Sequence, residues 1–157
     1  MIEVGDKVFY PMHGAGIVKA IDNKDFRGKV ESYCLITIPS KHMDVMLPVE
    51  KASKAGLRPL VDRNSAKKML QDYYQEENDS DLPWKKRYNA NLEKIKTGDF
   101  RACLEVVNDL LHRGKEKPLN GSEKQMLHQA KRLVGSELAL IKDISEKQAE
   151  KMLELPN

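Results

Sequence analysis

The sequence predicts an α+β chain, with a small antiparallel β-barrel or sandwich first and an all-α bundle of four or five helices after it. Up to residue 61, apolar residues alternate, and Gly or Pro interrupts them about every 8–12 residues. From Asp62 onward they recur at the 3.6-residue period of helices instead. Hydrophobic residues are only 40% of the 157 and charged ones 32%, and no stretch provides the ~20 apolar residues that span a bilayer.

Each element follows from local signals. Lys7-Val8-Phe9-Tyr10 is a short strand stopped by Pro11, and Ile17–Ile21 follows a glycine pair. Asp22–Asp25 reads as a polar turn or a solvated strand extension. Tyr33–Ile38 is rich in β-branched and aromatic types and closes at Pro39. Met43–Leu47 alternates up to Pro48, Val49–Gly56 suits a helical turn, and Leu57–Leu60 suits a last edge strand.

Residues 64–76 then predict a helix capped by Asn64 or Asp62, with Ala66, Met69, Leu70 and Tyr73 on one face; Asn78–Asp81 breaks it. Pro83 suits the first turn of the next helix, whose stripe is Trp84, Tyr88, Leu92 and Ile95. Gly98 ends that helix, and Asp99 caps another with Phe100, Cys103, Leu104, Val107, Leu110 and Leu111 on its face. After a loop from Gly114 to Gly121, Ser122 with Gln125 reads as a capping box, and Ser145 with Gln148 opens a terminal helix. The change of period places a domain boundary at 61–63, giving units 1–61 and 62–157. A unit of about 60 residues is marginal alone, so a contact between the two is expected.

Composition narrows the function. The start of the chain lacks a basic, then apolar, secretory signal, and Cys34 and Cys103 are far apart among apolar neighbours. The expectation is a cytoplasmic chain, not membrane-bound, with two buried thiols and no disulfide. The net charge of +3 says little, but its distribution is uneven. Residues 72–81 carry five acids (Asp72, Glu76, Glu77, Asp79, Asp81) and no cation, whereas residues 84–132 carry 12 cations against six acids. Such a basic centre suits a phosphate-binding surface, although charge alone favours an ordinary solvated helix face.

Trp84 shifts that balance. The only tryptophan stands at a helix start directly before Lys85-Lys86-Arg87. An indole there can wedge against an opened base step while the cations hold phosphates. It can equally end the core stripe it shares with Tyr88, and the residues alone leave both readings open.

Catalytic chemistry has little support. His13, His42, His112 and His128 have no metal-ligand spacing, no nucleophile-elbow motif occurs, and Gly14-Ala15-Gly16 lacks the rest of a phosphate loop. The glycine pair instead suits a tight turn or bulge. No enzyme activity, cofactor or metal is expected.

Several motifs resemble a known family. Val4-Gly5-Asp6-Lys7-Val8 and Tyr10-Pro11-Met12-His13-Gly14-Ala15-Gly16 resemble the opening of the CarD/CdnL/TRCF bacterial transcription regulators. Trp84–Ile95, Lys96-Thr97-Gly98-Asp99, Ser122–Ala130 and Gly135-Ser136-Glu137-Leu138-Ala139 are similar to the helical half of stand-alone CarD-type members. The resemblance implies a Tudor-like barrel that docks on the RNA polymerase β subunit and a helical domain that meets promoter DNA at the upstream bubble edge. There the tryptophan matching Trp84 wedges into the minor groove and stabilises the open complex. On the DNA side it implies Trp84, Arg87 and Lys124, beside which the charge pattern sets Lys85, Lys86 and Lys94; on the polymerase side it implies Lys24 and the Met46 position, within an edge strand that offers Met43, Val45, Met46, Leu47 and Pro48. Met46 and Asn89 stand where family members often carry a basic residue. Edge strand 43–47 could pair with a partner sheet. A monomer, nucleoid-associated through polymerase, is expected; the alternative is a free-standing, non-sequence-specific DNA-binding protein.

Overall fold

The computed structural model describes residues 2–76 and 82–155. Asn78–Asp81, with the acids Glu77, Asp79 and Asp81, lie outside the described residues. Five antiparallel strands come first: β1 (Lys7–Tyr10), β2 (Gly14–Phe26), β3 (Lys29–Ile38), β4 (Met43–Pro48) and β5 (Arg58–Pro59). They lie in the order β4-β3-β2-β1-β5, with a short helix, α1 (Val49–Ala52), before β5. Five longer helical elements follow: α2 (Arg63–Gln75), α3 (Trp84–Thr97), α4 (Phe100–Glu116), α5 (Gly121–Lys142) and α6 (Glu146–Lys151). The chain is α+β, as its two periods dictate.

Strand alternation divides the apolar residues between two cores. Successive side chains leave opposite faces of a strand. Val8 therefore joins Val18, Cys34, Ile36 and Ile38 in the sheet's own core. Phe9, facing Ala15 across the β1–β2 ladder, turns the other way with it and enters the helical core. That second core holds Leu70, Tyr73, Ile95, Phe100, Leu104, Val107, Leu110, Leu133 and Leu138. Cys34 and Cys103 are free thiols, one buried in each core.

Residues 22–25 form strand, not turn: β2 and β3 continue as a two-stranded ribbon with Lys24 opposite Glu31, well past the point where Pro48 ends the β4 ladder at Tyr33. Arg27 and Gly28, both at positive φ, form its tip.

The helix caps are mostly those expected. Asp62 accepts from Ser65 N, Asp99 from Ala102 N, and Ser145 forms its capping box with Gln148. Gly98 closes α3 in the left-handed region at φ 71°. The expected box at Ser122 and Gln125 is corrected: α5 begins earlier, capped by Asn120 with Glu123 as the reciprocal partner. An asparagine cap serves as well as a serine, and Glu123 has a second bond that fixes the choice.

Candidate functional site

Two surfaces carry the residues singled out by sequence. The first is the end of the bundle where α3 begins. Pro83 precedes α3 with φ −53° and ψ 149°, its own side chain supplies no cap, and no acid lies in the first turn of the helix. Trp84, in the first helical position, is 46% exposed and meets Tyr88 edge-on, with ring centroids 6.0 Å apart. Lys85 and Lys86 are exposed beside it.

Arg87 does not extend this face, which corrects its expected position beside the other cations. It is buried, with Nη2 3.0 Å from Glu123 Oε2 and Nε 3.9 Å from Asp109 Oδ2. Nη1 also donates to the Leu82 carbonyl at 3.2 Å. A guanidinium desolvated this far needs carboxylates close by, and here they come from α4 and α5. Asn91, one turn along, follows it inward and donates to Asp109 Oδ2 at 2.8 Å. The buried stripe of α3 is thus Arg87, Asn91 and Ile95, while Tyr88 and Leu92 are only half-buried. Lys94 is also engaged, 2.9 Å from Glu105.

The Arg87–Glu123 pair brings the start of α5 beside Trp84, and Lys124 stands exposed there, next in sequence to Glu123. Between the two helix starts is a groove of about 340 Å³, with Trp84, Arg113, Lys117 and Leu119 among its lining residues. Arg113 and Lys117 were counted as charge in the sequence but not singled out. Their signal was weak, because only the fold brings the α4–α5 connection against the indole.

The second surface is the free edge of β4, which pairs with β3 on one side only. Met43 and Met46 are 37% and 48% exposed, whereas Val45 and Leu47 pack against the sheet core. A partner would therefore meet Met43, Met46 and the edge backbone, with Val45 and Leu47 turned inward beneath. Lys24 stands apart on the exposed ribbon beyond Pro48.

No nucleophile–base pair forms from His13 and Cys34. His13 Nδ1 accepts from Lys41 Nζ at 3.4 Å, and the Cys34 thiol donates to the Leu47 carbonyl at 3.3 Å. Burial pushes the Cys34 thiol up and, with Lys41 and Arg132 nearby, pushes the His13 imidazole down. Among the described residues no cluster of His, Cys, Asp or Glu could hold a metal, and no helix is long and apolar enough to cross a membrane.

Two family models cover nearly all of the chain: the CarD-like/TRCF RID domain matches residues 2–61, and the CarD C-terminal domain matches residues 65–154. The sequence is 44% identical over 148 residues to a Bacillus subtilis (strain 168) protein described as "Putative transcription factor YdeB", covering 94% of this chain and 97% of that one. The chain belongs to the CarD family. Among solved structures, the N-terminal domain of Myxococcus xanthus CarD matches 38% of this chain and 79% of its own at 32% identity, with a TM-score of 0.33. A CarD-family chain is a member of a transcription-factor family, and its sheet half corresponds to the module shared with TRCF proteins.

Proposed function

We propose that this CarD-family chain is a non-catalytic regulator that binds the RNA polymerase β subunit through residues 1–61 and promoter DNA through residues 62–157. The polymerase-facing surface is the β4 edge with Met43 and Met46, flanked by Lys24. On the DNA side, Trp84 enters the minor groove at the upstream edge of the transcription bubble and hinders its collapse. Lys85, Lys86 and Lys124 hold phosphates around it. The protein works as a monomer, in the cytoplasm where polymerase is found.

The observation that carries this reading is the half-exposed indole in a first helical turn that holds no acid, beside exposed lysines. An apolar wedge needs no base-edge code, because it responds to how easily a step opens. Attachment to polymerase raises the local DNA concentration, so weak intrinsic affinity suffices. If the open state is rare, stabilising it by about 1.4 kcal/mol raises its population about tenfold.

The inward Arg87 and the paired Lys94 reduce the number of cations available to DNA, which argues against tight free-standing binding. The test is Trp84→Ala. It should still co-purify with polymerase but shorten open-complex lifetime at a weak promoter, and an unchanged lifetime would defeat the proposal.

A further inference from the structure

The motifs that mark the family converge on the seam between the sheet and the bundle. In the Tyr10–Gly16 segment, the His13 carbonyl accepts from Arg132 Nη1 at 3.0 Å and Ala15 N donates to Ser136 Oγ at 3.0 Å. Pro11 lies against Gly98, where a Cβ would come within 2.6 Å of Pro11 Cγ. The Gly98 carbonyl accepts from Arg58 Nε at 2.9 Å. The same guanidinium closes on both oxygens of Glu137, at 2.9 and 2.7 Å, and lies 4.6 Å from the Phe9 ring centroid. Glu137 is 1% exposed and also accepts from Val61 N at 2.9 Å.

We infer that Glu137, clamped by Arg58, is a positioning residue that fixes the bearing of Trp84 relative to the β4 edge. This inference rests on the wedge reading above. Gly98 ends the helix that Trp84 begins, so the seam holds α3 at its far end. The Arg87–Glu123 pair ties the first turn of α3 to α5, so the bundle turns on the seam as one body. At ~1.5 Å per residue α3 sets Trp84 about 20 Å from Gly98, and a turn of ~10° would move the indole roughly 3–4 Å, about one base-pair rise. Tethering favours the DNA contact only while the geometry lets both surfaces engage together. Replacing a buried ion pair by apolar residues of similar bulk is often neutral for net stability, so the role inferred for this pair is the arrangement it holds at the joint between the two surfaces.

The test replaces the clamp by an apolar pair of similar bulk, Arg58→Met with Glu137→Leu, in the full-length chain. Spin labels on Met46→Cys and Lys85→Cys, both exposed sites, report the spacing of the two surfaces, because native Cys34 and Cys103 are buried. The unclamped chain should give a broadened label distance and retain polymerase co-purification. Without labels, it should lose open-complex lifetime roughly tenfold toward the value without the protein. A distance that stays narrow, or a broadened one with lifetime intact, overturns the inference. If the double variant fails to fold, Arg132→Gln with Ser136→Ala loosens the same seam more gently and is read by the same criteria. Trp84→Ala run alongside separates the two claims. No effect there defeats the wedge itself, whereas an effect there and none at the seam defeats only the positioning role.

Discussion

Arg87 Nη2 lies 3.0 Å from Glu123 Oε2 with both side chains about nine-tenths buried, and this pair ties the first turn of α3 to the first turn of α5. Glu123 does two jobs at once, because its Oε1 also accepts from Asn120 N in the α5 capping box. Glu123→Ala would leave a desolvated guanidinium facing Asp109 at 3.9 Å and remove half of the cap. We expect a loss of about 3–5 kcal/mol, read as a lower denaturant midpoint at unchanged slope. A loss under ~1 kcal/mol would mean that the pair is solvated in solution.

The cations near Trp84 should divide into two groups. Lys85→Ala and Lys86→Ala should each reduce the salt dependence of DNA binding, lowering the log–log slope by about 0.9 per phosphate contact removed. Lys94→Ala should leave that slope unchanged, because its ammonium is engaged by Glu105. Titration of a bubble-mimicking duplex at several salt concentrations checks this, and equal slopes for all three variants would contradict the assignment.

Stability should also respond to mild acid through His13. Burial first, then Lys41 and Arg132, hold its imidazole below the ordinary value of 6.5, so on acidification the unfolded chain takes up the proton before the folded one. The neutral ring's contribution is therefore complete above about pH 6.5 and is lost as pH falls from there toward the lowered folded value. Unfolding midpoints measured from pH 7.5 down to 5 should decline less steeply in His13→Gln. Parallel declines would assign the acid sensitivity to other groups.

Neither thiol should react in the folded chain. Burial pushes the Cys103 thiol up to about 12, and Cys34 is also raised by burial. Because the thiolate is the reactive form, alkylation at pH 8 should proceed only through opening. Its rate should rise with denaturant, and rapid labelling in buffer alone would be incompatible with the two cores described.

Much of the fold was legible because its signals are local. Asp62, Asp99 and Ser145 each cap a helix through a residue three positions away, and Gly98 ends one by its own left-handed backbone. The position of Arg87 was not legible. Trp84-Lys85-Lys86-Arg87 reads as one charged run, and the carboxylates that draw Arg87 inward lie 22 and 36 positions downstream. Asn91 one turn later was the available hint that this face is polar and buried. Glu137 was missed as well, although a lone carboxylate within Leu133–Ala139 could have been read as a buried charge awaiting a partner. That partner, Arg58, belongs to the other half of the chain, where no periodicity could reveal it.

Phe9 of β1 and Ala15 of β2 belong to the sheet by pairing but to the helical core by burial. Cutting the chain near residue 61 would strip the helices of two packing side chains and leave a greasy scar on each fragment. Separate expression of the halves therefore calls for a polar replacement at Phe9, the larger of the two side chains left uncovered.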